Sequence, residues 1–87
     1  MTKPTEQLKV FADFNNCDKQ GRVRLNTIGT VEDLNRLGII LREDLKILIG
    51  GLELEAEGTV TYSNEEGVWV ARVDWDNIRE LPGNRLP

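Results

Sequence analysis

From Leu52 to Trp75 the chain alternates apolar and polar positions with the period of a β-strand, turns once, and alternates back. Leu52, Leu54, Ala56, Gly58, Val60 and Tyr62 hold the even positions of the outgoing run, and Glu53, Glu55, Glu57, Thr59 and Thr61 the odd ones. Successive side chains of a strand point to opposite faces, so the pattern predicts a long strand over 52–62 with one core face and one acidic, hydrated face. Ser63-Asn64-Glu65-Glu66-Gly67 is a turn signal, and Val68 to Trp75 is the returning strand. Gly58 keeps the phase of the alternation but contributes no side chain, which predicts a bend or bulge.

Shorter patterns flank this hairpin. Leu8, Val10, Ala12 and Phe14 predict a first strand, and Arg22 to Asn26 a second with Val23 and Leu25 inward and both arginines outward. The turn formers of Asn15 to Gly21 lie between them, so the two runs read as a hairpin with a long loop. Leu45 to Ile49 predicts a third strand, with Leu45, Ile47 and Ile49 on one face and Gly50-Gly51 as the tight turn into the long strand. The clearest helical signal is 31–37. Thr30 is its N-cap, Glu32 and Asp33 occupy its first turn, Arg36 its last, and Gly38 its left-handed C-cap. Val31, Leu34 and Leu37 share one face, and two turns of helix need tertiary packing to persist. Ile39 to Leu41 is a buried extended connection, and Arg42 to Asp44 a turn. Asp76 caps a short helical turn over 77–81, which Pro82 and Gly83 end.

The fold expected from these elements is mainly β: a small SH3-like, strongly bent, five-stranded antiparallel barrel or sheet with one short helix at about 31–37. A twisted antiparallel sheet with the helix on one face is the alternative. The single domain spans 8–81, with a flexible tail over 1–7 and a frayed one over 82–87. With 87 residues there is room for one core, and a domain of this size buries roughly 60–65% of the surface its unfolded chain exposes.

Composition narrows the function classes. No segment approaches the ~20 apolar residues of a spanning helix, and Met1 to Gln7 carries no apolar export signal. The lone Cys17 has no internal disulfide partner. The expectation is a cytoplasmic protein that does not enter membranes. The net charge of −4 is uneven. Glu53 to Asp76 holds seven acids and Arg72 alone, while the rest of the chain is mildly basic. Such a domain repels phosphates in general, so nucleic acid is not the expected partner, but it can offer an acidic face to a basic one.

The chain has no histidine. That removes the usual zinc sites and the imidazole-activated nucleophiles. Asp13 to Arg24 begins like a calcium loop but has Cys17, Asp18 and Arg24 where the pattern needs an oxygen ligand, glycine and glutamate. Cys17 reads as an inert loop thiol, with only Lys19 near in sequence to lower its pKa. Gly50-Gly51 lacks the pattern of a phosphate loop. No catalytic residue, metal or cofactor is expected.

Surface features remain. Glu53, Glu55 and Glu57 read most simply as a solvated row that keeps a strand from aggregating. Read functionally, they mimic spaced phosphates or fit a basic groove. Trp69 and Trp75 lie on one face of the returning strand with Ala71 and Val73, one of them core and the other, with Tyr62, a candidate interface anchor. Arg22, Arg24, Arg42 and Lys46 form a small basic patch without the interleaved aromatics of an RNA surface.

Several segments together resemble a group of short uncharacterised bacterial proteins. They are Phe11-Ala12-Asp13-Phe14-Asn15-Asn16, Gly21-Arg22-Val23-Arg24-Leu25, Ile28-Gly29-Thr30, Leu41-Arg42-Glu43, the Glu57-Gly58 run with Val60, Tyr62 and Ser63, Trp69-Val70-Ala71, and Asp74-Trp75. The resemblance covers about Leu8 to Ile78, with Leu45 to Glu53 shorter here. It implies one compact domain and brings no activity or ligand. The expected function is a non-enzymatic protein-interaction module with an acidic hairpin face, contacting a partner through Glu53, Glu55, Glu57, Tyr62 and Trp69. The alternatives are a nucleic-acid-mimicking inhibitor and an RNA-contacting barrel. A homodimer could also form through a free strand edge.

Overall fold

The structure, a computed structural model, describes residues 9–81; both tails of the sequence reading, and Leu8, lie outside the described residues. The elements in order are β1 (Lys9–Phe11), β2 (Val23–Arg24), α1 (Ile28–Leu37), β3 (Lys46–Gly50), β4 (Leu54–Ser63), β5 (Val68–Val73), a 3-10 turn (Trp75–Asn77) and β6 (Arg79–Glu80). The sheet runs β1-β3-β4-β5-β2 with β6 on β4, a curled half-barrel of mixed strands with one helix. The mainly-β expectation therefore holds.

Its antiparallel connectivity does not hold throughout. β1 runs parallel to β3, Lys9 opposite Leu48 and Phe11 opposite Gly50, while β2 pairs antiparallel with β5. The hairpin expected between the first two strands is thus absent, and they occupy opposite edges. The reason lies in β3, where Ile47, Leu48 and Ile49 are all buried. A strand apolar on both faces belongs inside a sheet, and β1 supplies its second flank.

The core is Val10, Ala12, Val23, Leu25, Ile47, Ile49, Val60 and Ala71, with Leu34, Leu37, Ile39 and Leu41 packed against it. On β4, Ala56, Gly58 and Val60 are buried as the alternation predicts. Gly58 makes no bulge: Lys46 pairs with Thr59, Ile47 with Gly58 and Leu48 with Glu57 in unbroken register. It is small because β5 is close. A Cβ there would lie 3.0 Å from the Ala71 Cβ.

The helix starts earlier than the sequence suggests. Thr27, not Thr30, is the N-cap, accepting from the Thr30 N–H at 3.2 Å. The first turn therefore holds no acid, Val31 is exposed, and Thr30 is fully buried. The side chains released from capping close the outer edge of β1. The Thr30 hydroxyl donates to the Phe11 carbonyl at 2.7 Å, and Asp33 Oδ2 accepts the Phe11 N–H at 2.8 Å. Thr30 has one proton to give, so the 2.7 Å contact between the two threonine hydroxyls is a donation from Thr27. Gly38 ends the helix at φ 70° as expected.

At the opposite edge, the loop before β2 is built around Asp18, which is buried. Its Oδ1 accepts the N–H groups of Gln20 and Arg22, and its Oδ2 accepts Arg22 Nε at 2.8 Å. The loop then covers β2, the Arg24 N–H donating to the Asn16 carbonyl at 2.9 Å. After β5, Asp74 rather than Asp76 is the cap. It accepts the Asp76 N–H and the Asn77 side-chain amide, and the expected helix over 77–81 is replaced by the 3-10 turn and β6.

Burial opposes ionisation of Asp18, but the Arg22 and Gln20 donors outweigh it and hold the carboxyl below its ordinary pKa. Asp33 is lowered by Arg36 and the Phe11 N–H, and Glu43 by the Tyr62 N–H and the Thr61 hydroxyl. A carboxylate lowered on folding stabilises above its unfolded pKa, about 4, and loses that contribution as pH falls towards the folded value. The melting temperature should therefore stay level from about pH 8 to about 5 and drop below about 4. Asp18→Ala strands the Arg22 guanidinium and should cost about 2–4 kcal/mol in urea denaturation at neutral pH. Asp18→Asn should start lower than the parent at neutral pH and lose less on acidification.

Candidate functional site: an apolar cleft with an acidic rim

The sequence reading makes Gly50-Gly51 the turn between the third and long strands. The structure shifts the turn by two residues. Gly51 N–H donates to the Leu54 carbonyl at 3.0 Å, leaving Leu52-Glu53 as a two-residue tip. Neither tip residue takes positive φ, the conformation that usually lets so short a tip match strand twist. Gly50 provides the freedom instead, since a Cβ there would run into the Leu54 carbonyl oxygen. As a result Leu52 leaves the core face predicted for it and stands 79% exposed.

Beside the tip lies the Phe11 ring, 39% exposed. It rests between two glycines: a Cβ on Gly29 would fall 2.9 Å from its Cδ2, and one on Gly51 3.7 Å from its Cε1. Phe11, Ala12 and Phe14 form one wall of an open cleft, and Gly51, Leu52 and Leu54 the other. Its volume is about 390 Å³. Phe14 continues the apolar surface outward, meeting Trp75 edge-on at 5.9 Å, and Trp75 anchors its Nε1 on the Gly21 carbonyl at 3.1 Å. Asp13 and Glu53 are the charged residues of the lining; both are exposed, and no base lines the cleft. Neither acid forms an ion pair with another described residue.

The residues singled out from the sequence do not form one site. Glu53 lies at the tip, outside β4. Glu55 is inside the strand and paired, with Arg79 Nη2 at 2.9 Å and Lys9 Nζ at 3.7 Å. Glu57 is exposed in a separate groove, among Lys46, Arg72, Arg79 and Asp74. The acidic row is therefore interrupted by bases that the fold brings to it from β1 and β6. Tyr62 and Trp69 are brought together, opposite each other in register with rings 5.1 Å apart, but at the far end of β4. Tyr62 is 38% exposed and Trp69 half-buried against the core.

The basic patch is also dispersed. Arg22 is held by Asp18, and Arg24 makes a two-pronged pair with Glu66 at 2.7 and 2.9 Å and reaches Asn16 at 3.1 Å. This pairing raises the pKa of Arg24 and lowers that of Glu66. Cys17 is a thiol whose pKa is pushed up by burial and then by Asp18, and it donates to the Phe14 carbonyl at 3.2 Å. Among the described residues, no group of three or more Cys, Asp or Glu side chains is placed to hold a metal ion, and no helix is long and apolar enough to cross a membrane.

Phe11 and Leu52 are the residues that sequence reasoning missed. Phe11 sat on the outward phase of its strand, and Leu52 was absorbed into the alternation. The available signal was the glycine pair just before Leu52, which allows the turn to form later.

The two tryptophans should separate in solution. Trp75, 46% exposed, should account for most acrylamide quenching, and Trp75→Phe should leave a fluorescence that quenches several-fold less steeply. No family model matches the chain, and no curated protein or solved structure matches it either.

Proposed function

We propose that the protein is a non-enzymatic protein-interaction module that grips its partner through the cleft between Phe11 and Leu52. The observation that carries this reading is the exposed Leu52, held on a two-residue tip beside Phe11 and Phe14. Large apolar side chains fixed on rigid turns cost little entropy to bury and suit a binding anchor. The anchors thus move from Tyr62 and Trp69 to Leu52 and Phe11, and the acidic residues that matter become Glu53 and Asp13. Cytoplasmic residence accords with an unpaired Cys17.

The other readings draw less support. A phosphate mimic needs free, evenly spaced acids, whereas Glu55 is paired. An RNA surface needs a continuous set of available bases, whereas Arg22 and Arg24 are engaged and leave only Arg42 and Lys46 of that patch without an ion pair among the described residues. An enzyme needs convergent acids and bases with one poised to move protons near neutral pH; the cleft offers only Asp13 and Glu53 at its rim, and the second groove sets Glu57 and Asp74 among Lys46, Arg72 and Arg79 without a histidine.

Leu52→Glu should change stability by no more than about 0.5 kcal/mol, because the side chain is already in water. The tagged protein, incubated with lysate and nuclease, should enrich one protein that Leu52→Glu fails to recover. Equal recovery by the variant, or recovery abolished by nuclease, would overturn the proposal.

A further inference from the structure

We infer that the cleft takes a peptide segment in which a large apolar side chain is flanked by lysine or arginine; this rests on the interaction-module reading above. The apolar half of the recognition follows from the walls. Phe11, Phe14, Leu52 and Leu54 leave a trough of about 390 Å³, room for one or two large side chains. The basic half follows from the rim. Asp13 and Glu53 stand on opposite walls, exposed and without an ion partner among the described residues; the nearby base, Lys9, lies outside the trough's lining and is held by the Gly51 carbonyl at 2.9 Å and by Glu55 at 3.7 Å. Elsewhere Asp18, Asp33, Asp44, Glu55, Glu65 and Glu66 each have an arginine or lysine within 4.0 Å, while Glu57 and Asp74, which form no ion pair among the described residues, share their groove with Lys46, Arg72 and Arg79. The cleft thus combines an exposed apolar anchor with two acids, Asp13 and Glu53, that have no base among the residues lining it, and a cation brought by the ligand completes them.

The same charges argue against other occupants. Phosphates of nucleic acid or an anionic membrane would meet Asp13 and Glu53 at the point of closest approach. A symmetric contact with a second copy would set two acidic rims against each other.

The test is selection of a random dodecapeptide library on the full chain at about 0.15 M salt, followed by titration of an enriched peptide. Enriched peptides should carry Leu, Phe, Met or Trp within two positions of Lys or Arg. Leu52→Glu should weaken binding at least tenfold. Asp13→Asn, which keeps the acceptor for the Asn15 N–H, and Glu53→Gln should each weaken it by up to about fivefold at about 0.15 M salt and by less at about 0.5 M. Enrichment of peptides without basic residues, or affinity unmoved by both rim variants, would overturn the assignment of the ligand while loss on Leu52→Glu keeps the module reading. Failure to obtain any peptide whose binding depends on Leu52 would overturn both. Sedimentation showing a dimer that Leu52→Glu dissociates would give the cleft to a second copy and overturn the peptide assignment.

Discussion

The docking of α1 on the outer edge of β1 is the contact on which the rest of this structure depends. A three-residue strand paired on one side would leave the Phe11 N–H and carbonyl facing outward, unsatisfied or open to another chain. Asp33 and Thr30 take those two groups at 2.8 and 2.7 Å, so the helix completes the sheet where a further strand would otherwise be needed. The arrangement explains why a threonine can be fully buried in a small core. Its hydroxyl is used twice, giving its proton to Phe11 and accepting one from Thr27. It also brings Gly29 under the Phe11 ring, so the packing that closes the edge is the packing that presents the ring to solvent.

Much of this fold was legible in the sequence, and what was missed has identifiable causes. Alternation found β4, β5 and β3 because each buries at least one face along its length. The positions of Gly38 and Gly67 as helix and hairpin stops followed from their left-handed backbone, φ 70° and 71°. Partner choice was not legible. Val10 and Val23 look alike in sequence, yet one strand pairs with β3 and the other with β5, because the two-sided burial of Ile47 to Ile49 decides the order. Nor was the helix start: Thr27 and Thr30 are equally good caps, and only the reach of Thr30 to Phe11 selects between them.

The site was the least legible part. A side chain's distance from others of like charge along the chain says little about its neighbours in space. Glu53, Glu55 and Glu57 read as a row, but β6 and Lys9 intervene at Glu55. Conversely, Asp13 and Glu53 are forty residues apart and share one rim. That juxtaposition depends on the parallel pairing of β1 with β3, a connection no local pattern encodes.

The parallel pairing also bears on how the domain forms and holds. β3, β4 and β5 are consecutive antiparallel strands joined by short turns, so their contacts are local and close early in folding at small entropic cost. β2 and the helix separate β1 from β3 in sequence, so the pairing of β1 with β3 is the long-range contact. One wall of the cleft belongs to the turn of this meander and the other to β1 and the residues that follow it. Whatever occupies the cleft bridges the two, and by mass action it favours the fully assembled state over any form with β1 detached. A ligand bound there would make occupancy of the surface and retention of the first strand one equilibrium, to be read in the hydrogen exchange of the Val10 and Ala12 amides.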